Sequence, residues 1–241
     1  MRTLHIIMPM AGEGSRFRNA GWCTPKPLIE LKGKPLFLRA IDSVKVADAP
    51  MKYSFIVRQE HIDEYHIDKM IREILPEAMV YSVKKTTRGA VETCLVAEEG
   101  IADDDAVMVM DCDLEFRSES YNRLITDALN SADAKGGALV SFESTDSRYS
   151  YAALGKDGLV TRTAEKEPIS SHALCGAYFF ASGKEFKDVA HRLLSERLMR
   201  KPEFYVSLLF NYLLVNGSPV RLAPMELYRS YGTPEELKKW L

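Results

Sequence analysis

LHIIMPMAGEGSRFRNAGWCTPKPLIEL, residues 4–31, sets a brief apolar run against a long polar stretch before hydrophobicity resumes. Leu4 to Met8 reads as a short interior strand, because a few aliphatic residues ended by turn formers are what a parallel strand buried on both faces looks like. The polar stretch after it is too long to be only a turn. Gly12 and Gly14 let the backbone bend and bring its N–H groups close to a ligand, while Ser15, Arg16 and Arg18 add donors and charge, as a phosphate cradle requires. A surface loop with solvated arginines has the same composition. The loop also lacks the Gly-Lys-Ser/Thr ending of a P-loop and the third glycine of a dinucleotide fingerprint. Lys26, between Pro25 and Pro27, shifts the balance toward a site, since two prolines restrict the local backbone and present the ammonium with less freedom to lose.

Outward from this stretch, strand and helix alternate. Pro35 to Ala47 and His61 to Leu75 carry apolar residues at helical spacing, with a strand over Tyr53 to Val57 between them. A strand at Met79 to Val83, a helix at Gly89 to Ala97, a strand at Ala106 to Met110, a helix at Ser120 to Leu129 and a strand at Ala138 to Phe142 follow. Alternation at this spacing predicts right-handed crossovers and a mainly parallel sheet covered on both faces, with ligands at the carboxyl ends of its strands. The second half changes character. Tyr151 to Leu154, Leu159 to Glu165 and Ala173 to Ala181 are strand-like and separated by turns such as KDG at 156–158, which predicts hairpins. Helices are expected at Lys184 to Arg197 and at Glu203 to Asn216, the latter stopped by Gly217, with Phe204, Leu208, Leu209, Tyr212 and Leu213 as a core-facing stripe. A last helix starts after Thr233, with Pro234 in its first turn. The expected architecture is one domain over residues 1–241, a mainly parallel α/β sheet with a small antiparallel insertion.

Composition narrows the function. The chain has 241 residues, 46% hydrophobic and 27% charged, with net charge -2 and a pI near 6.2, so it can bury a substantial core but carries no global charge that would attract nucleic acid or a membrane surface. No apolar run approaches the ~20 residues of a membrane span, and the amino terminus lacks a secretory pattern, so a soluble cytoplasmic protein is expected. Cys23, Cys94, Cys112 and Cys175 form no CxxC pair, which points to reduced, mostly buried thiols. His61 and His66, five apart, would sit on different sides of a helix and share no metal.

Two further motifs carry candidate chemistry. In MDCDLEF, residues 110–116, Asp111 and Asp113 follow a buried strand at the end where such sheets bind ligands. Two carboxylates there suit Mg²⁺, a hard cation satisfied by one or two carboxylates plus substrate phosphates, although they could also cap a turn. AEKE, residues 164–167, is a charged strand end that by itself reads as solvated surface.

Taken together, PMAGEGSRFRNAGWCTPKPLIELKGKPL resembles the signature of the nucleotidyltransferases that activate sugar phosphates, and further pieces agree in order: TTRGAVET at 86–93, MDCDLEF at 110–116, TAEKEPISSHALCGAYFF at 163–180 and GTPEEL at 232–237. The resemblance implies a three-layer α/β/α Rossmann-like fold of glycosyltransferase-A type, with a nucleotide-binding part over about residues 1–115 and an acceptor-binding part over about residues 116–241. It implies an Mg²⁺-dependent reaction in which a nucleoside triphosphate, CTP or UTP by analogy with small relatives, and a phosphorylated acceptor give an activated compound and pyrophosphate. That product would be a precursor of surface polysaccharide. Carried over, Met10, Ala11, Gly12, Glu13, Gly14 and Ser15 would wrap the triphosphate, with Arg88 and Gly89 at the base. Arg16 would neutralise the departing pyrophosphate and Lys26 the α-phosphate. Asp113 would hold the metal with Asp111 beside it. Tyr151, Glu165, Lys166 and Gly176 would meet the acceptor.

The chain departs from the family pattern at Ser230. Many relatives have an acidic metal ligand two positions before this Gly-Thr, so the metal would rest on Asp111 and Asp113 with water, or on another acid such as Glu226, or be held more weakly. A glycosyltransferase using Asp111-Cys112-Asp113 and a non-catalytic nucleotide-binding regulator stay open as rival readings, as does self-association into a homo-oligomer.

Overall fold

Runs of aliphatic residues become strands where both of their faces can be covered, and the computed structural model, which describes residues 1–44, 46, 48–196 and 203–241, carries this through the first half of the chain. In chain order the elements are β1 (Leu4–Met10), α1 (Ser15–Asn19), β2 (Glu30–Leu31), β3 (Lys34–Pro35), α2 (Leu36–Ile41), β4 (Met51–Arg58), α3 (Gln59–Tyr65), α4 (Ile67–Ile74), β5 (Met79–Val83), α5 (Ala90–Leu95), β6 (Ala106–Met110) and β7 (Leu114–Arg117). They continue with α6 (Glu119–Asn130), β8 (Gly137–Glu143), β9 (Ser150–Leu154), β10 (Val160–Glu165), β11 (His172–Phe180), α7 (Gly183–Ser195), α8 (Leu209–Val215), β12 (Val220–Pro224), β13 (Leu227–Ser230) and α9 (Pro234–Lys238).

β1 lies between β4 and β6 and runs parallel to both, and β5 extends this parallel half beyond β4. On the other side β11 runs antiparallel to β6, then pairs with β8 and β9; β10 folds back on β9 across the KDG turn, and β12 runs parallel to β8. The main sheet is therefore mixed, parallel around β1 and antiparallel around β11. β7 and β13 form a separate antiparallel ribbon beyond the end of β6, which brings the segment after Asp113 against the segment before Gly232.

Pleating sends neighbouring residues to opposite faces, and both faces are filled. Met8, Met10, Phe37, Phe55, Met108 and Tyr121 pack in one core beneath α2, α4 and α6. Ile7, Ile56, Val91, Val107, Phe186 and Leu209 pack in the other beneath α5, α7 and α8. The result is the expected three-layer arrangement. No helix among the described residues is long and apolar enough to cross a membrane.

Several boundaries differ from the sequence reading. The expected helix over residues 61–75 is two helices, because His66 takes a left-handed conformation (φ 52°) between α3 and α4. The expected helix over 35–47 ends at Ile41, and that over 203–216 begins as helix only at Val206 and becomes α8 at Leu209. Phe204 packs against the same core as Leu209 and Leu213, but not from a helix: its backbone N–H donates to Arg88 O (2.9 Å) and its carbonyl accepts from Val91 N–H (3.1 Å), so the segment pairs with a neighbouring turn instead of coiling. Ala47 and Arg197, named above as helix ends, lie outside the described residues.

Candidate active site

The loop after β1 leads into α1, and the two prolines around Lys26 set up a single 3₁₀ turn at Lys26–Leu28. A cavity of about 240 Å³ opens here, lined among others by Gly12, Glu13, Gly14, Arg18 and Lys26. Met10 also lines it, Ala11 is buried, and Ser15 and Arg16 are exposed on the first turn of α1. Glu13 accepts from the Thr86 hydroxyl (3.0 Å), and Arg58 donates to both Thr86 Oγ1 (3.2 Å) and Ala11 O (3.4 Å), which ties the loop to the TTRG turn.

A second cavity, of about 540 Å³, adjoins the carboxyl end of β6. Asp111, Asp113, Glu165, Lys166 and Gly176 line it, and so does Arg16. The two cavities meet at a contact in which Lys26 Nζ donates to Asp113 Oδ2 at 2.7 Å. Burial alone would push the Lys26 ammonium down, but Asp113, with Asp111 behind it, holds it well above the usual lysine range. It is charged throughout the working range of pH. Asp111 is pushed up to about 7, first by burial and then by like charge on Asp113, with Lys26 opposing.

Gly176 explains why Asp111 fits. It sits at φ +87° where the pairing of β11 with β8 shifts register, and a Cβ there would lie 2.2 Å from Asp111 Oδ2. Irregularities of this kind recur next to active sites because they re-aim side chains. As a metal centre, Asp111 and Asp113 suit a hard divalent cation whose remaining positions are filled by phosphate oxygens. Among the described residues no group of three or more His, Cys, Asp or Glu is gathered to hold an ion alone.

At another wall of the second cavity, Glu165 is buried at the end of β10 and accepts from Ser150 Oγ (2.5 Å) and Ser207 Oγ (2.8 Å). Lys166, next in the chain, is exposed and left-handed (φ 56°), and its Nζ donates to the Tyr205 hydroxyl at 2.7 Å. Tyr151 is placed differently from the expectation. It is fully buried, its hydroxyl donates to Asp146 O (2.7 Å), and the cavity is lined by Tyr149 and Ser150 instead. Within β9, which begins at Ser150, the pleat is the reason: Ser150 faces the cavity and Tyr151, the next residue, faces the other side, while Tyr149 precedes the strand. Arg88 is exposed and paired with Glu92 (2.8 Å), and Gly89 packs on the Phe204 backbone.

Ser230 does line the second cavity, but its acidic neighbour is not Glu226, whose carboxylate accepts from Glu119 N–H at the start of α6 (3.2 Å). Glu236 is the acid there. Its Oε2 accepts from Ser230 Oγ (2.9 Å), its Oε1 pairs with Arg148 (2.6 Å), and a Cβ on Gly232 would lie 3.4 Å from both Glu236 Oε2 and Asp113 Oδ2. Glu236 is also the N3 acid of a capping box with Thr233, a signal readable in GTPEEL as Thr-x-x-Glu. Arg148, Tyr149, Tyr205 and Tyr228 line the cavity without any local motif to announce them.

Residues 4–213 match the model of the Nucleotidyl transferase family. A UTP–glucose-1-phosphate uridylyltransferase of Haloferax volcanii is 22% identical over 241 residues, which covers 97% of this chain and 93% of that protein. The crystal structure of a nucleoside-diphosphate-sugar pyrophosphorylase from Vibrio cholerae superimposes with a TM-score of 0.81 at 24% identity, covering 98% of this chain and 99% of that one. The inositol-1-phosphate CTP transferase of T. maritima gives a TM-score of 0.71 at 15% identity, with 98% and 91% covered. At these identities the solved structures establish the shared fold.

Proposed function

This chain belongs to the nucleotidyl transferase family, and from that premise we propose that it transfers a nucleotidyl group from CTP or UTP to a phosphorylated small-molecule acceptor. The observation that carries this reading is the Lys26–Asp113 contact at the junction of two cavities, one under the glycine-containing loop and one at the end of β6. A triphosphate in the first and a phosphorylated acceptor in the second would meet there.

An acceptor phosphate oxygen attacks the α-phosphorus, the bond from that phosphorus to the bridging oxygen breaks, and the electron pair leaves with pyrophosphate. The attacking oxygen is already ionised, so no general base is required, and catalysis rests on in-line positioning and charge neutralisation. Lys26, kept cationic by Asp113, stands where charge accumulates on the α-phosphate. Arg16 and the loop backbone from Gly12 to Ser15 neutralise the departing pyrophosphate, with Arg88 and Gly89 beside the base. Asp113 and Asp111 would hold Mg²⁺, which supplies charge stabilisation on the phosphates when bound. Glu165 and Lys166 receive the acceptor, the glutamate at a hydroxyl and the lysine at the phosphate, beside Gly176.

UTP and glucose 1-phosphate in the name of the Haloferax volcanii relative, and CTP and inositol 1-phosphate in that of the T. maritima structure, support a pyrimidine nucleotide and an alcohol phosphate. The product is a nucleotide-activated precursor for surface polysaccharide, made in the cytoplasm. A matrix of the common nucleoside triphosphates against phosphorylated hexoses, heptoses and non-sugar alcohols, read as pyrophosphate release with Mg²⁺, tests this. One or more pyrimidine pairs should stand out. Sugar transfer from a nucleotide-sugar without pyrophosphate would replace the reading with that of a glycosyltransferase.

A further inference from the structure

Lys166 is an exposed residue held in a backbone conformation that non-glycine residues seldom adopt. Strain of this kind persists only where the surroundings over-determine it. Its N–H donates to Tyr149 O (3.0 Å), its ammonium donates to the Tyr205 hydroxyl (2.7 Å), and the same ammonium lies 4.8 Å from the centroid of the Tyr205 ring. Tyr205 thus contacts the lysine through both its oxygen and its ring, and its hydroxyl, which accepts from Lys166, donates its own hydrogen bond to the Glu203 carboxylate. A long, flexible cationic side chain on an exposed strand end is normally free to wander; this one is held at the wall of the cavity.

The residue before Tyr205 is held just as closely, by the other side of the site. Phe204 exchanges backbone hydrogen bonds with Arg88 O and Val91 N–H, its ring lies 5.1 Å beneath the Arg88 guanidinium, and a Cβ on Gly89 would lie 2.5 Å from Phe204 N. Only a glycine, here at φ +143°, permits that approach. The TTRG turn and the acceptor lysine are therefore joined through two consecutive residues.

Resting on the function proposed above, we propose that Tyr205 is a positioning residue that holds the Lys166 ammonium for the acceptor phosphate, and that Phe204 makes this hold respond to nucleotide at the TTRG turn. A triphosphate that orders the turn would order Phe204, then Tyr205 and Lys166, so the two substrates bind with positive coupling. By linkage each would raise the affinity for the other.

The test is the rate at which Lys166 is acetylated by an N-hydroxysuccinimide ester in the intact protein, measured by peptide mass spectrometry with Lys156 as the exposed reference. Without nucleotide, Tyr205→Phe, which keeps the ring and loses the hydroxyl, should speed acetylation of Lys166 by about fivefold or more, the effect of one lost hydrogen bond to a charged group. Equal rates in the two proteins would overturn the positioning role, whatever reaction the enzyme catalyses. Saturating UTP or CTP should slow Lys166 acetylation in the wild type and have little effect in Tyr205→Phe; a nucleotide that binds by calorimetry yet leaves the wild-type rate unchanged would overturn the link through Phe204. If neither nucleotide binds, the link fails together with the proposed function, while the nucleotide-free comparison still decides the role of Tyr205. With an acceptor found in the substrate matrix, Tyr205→Phe should raise the acceptor KM about tenfold with kcat within about twofold. A fall in kcat at unchanged KM would contradict positioning.

Discussion

In the proposed reaction Lys26 is where the chemistry concentrates. Its charge is secured by Asp113 and Asp111 against the cost of burial, so the ammonium is ready for a phosphate at any pH at which the fold survives. Lys26→Ala is expected to lower kcat by on the order of 10², the usual effect of losing one preorganised charge contact in a transition state; steady-state kinetics on a variant with an unchanged melting temperature would measure it. Asp113→Asn is expected to abolish the response of turnover to Mg²⁺, checked by titrating the metal. At Gly176, Ala would place its Cβ 2.2 Å from Asp111 Oδ2 in a left-handed position. Gly176→Ala should therefore lower kcat at least about tenfold and cost about 1–3 kcal/mol of stability. Gly217→Ala is the control. Its position is also left-handed (φ +77°) but has nothing within 4 Å, so stability should fall while kcat holds.

Among the elements, those that carry a local signal were the legible ones. Buried aliphatic runs announced β1 and β6; the Asp-Cys-Asp segment at the end of β6 reads as a candidate site because parallel sheets place ligands there, and Lys26 does so because two prolines restrict it. The β7–β13 ribbon was not legible. LEFR and LYRS are four residues each with no strong alternation, and they become strands because they find one another. Tyr151 was misplaced for a related reason: which face of β9 looks into the cavity depends on register, and register is not local. Glu236 has a local signal as the acid of a Thr-x-x-Glu cap, but its approach to Ser230 and Asp113 needed the ribbon to bring α9 back over the end of β6. Removing that cap by Thr233→Ala should cost about 1 kcal/mol, a fall in melting temperature of about 2–4 °C for a chain this size, readable by calorimetry.

Over the whole molecule, the main sheet is parallel around β1 and antiparallel around β11, and the proposed function puts the nucleotide on the first half and the acceptor on the second. The strands beneath the site hold a titratable residue of their own. His5 on β1 is fully buried, its Nε2 shares a hydrogen bond with Ser54 Oγ (2.8 Å), and Asp105 lies 3.8 Å from its Nδ1. Burial holds its imidazole down to about 4, with Asp105 opposing and Lys52 adding to the effect. In the unfolded chain the same group takes up a proton near 6.5. The unfolded state therefore binds the extra proton as pH falls from about 6.5 toward 4, and stability declines across that window by up to about 3 kcal/mol from this residue, being fully present above it. Urea unfolding at a series of pH values should show the decline, and His5→Gln should flatten it.

In the proposed function, the contact between the two cavities joins a nucleotide to a phosphorylated acceptor. Phosphorus NMR of the wild-type enzyme with Mg²⁺, CTP or UTP and the acceptor selected by the substrate matrix follows both products at once. The expected result is a pair of coupled resonances from a new diphosphate diester appearing in equal amount with inorganic pyrophosphate, and absent in Lys26→Ala over the same time. Nucleoside diphosphate with inorganic phosphate, or a diester that forms as fast in Lys26→Ala as in the wild type, would contradict it.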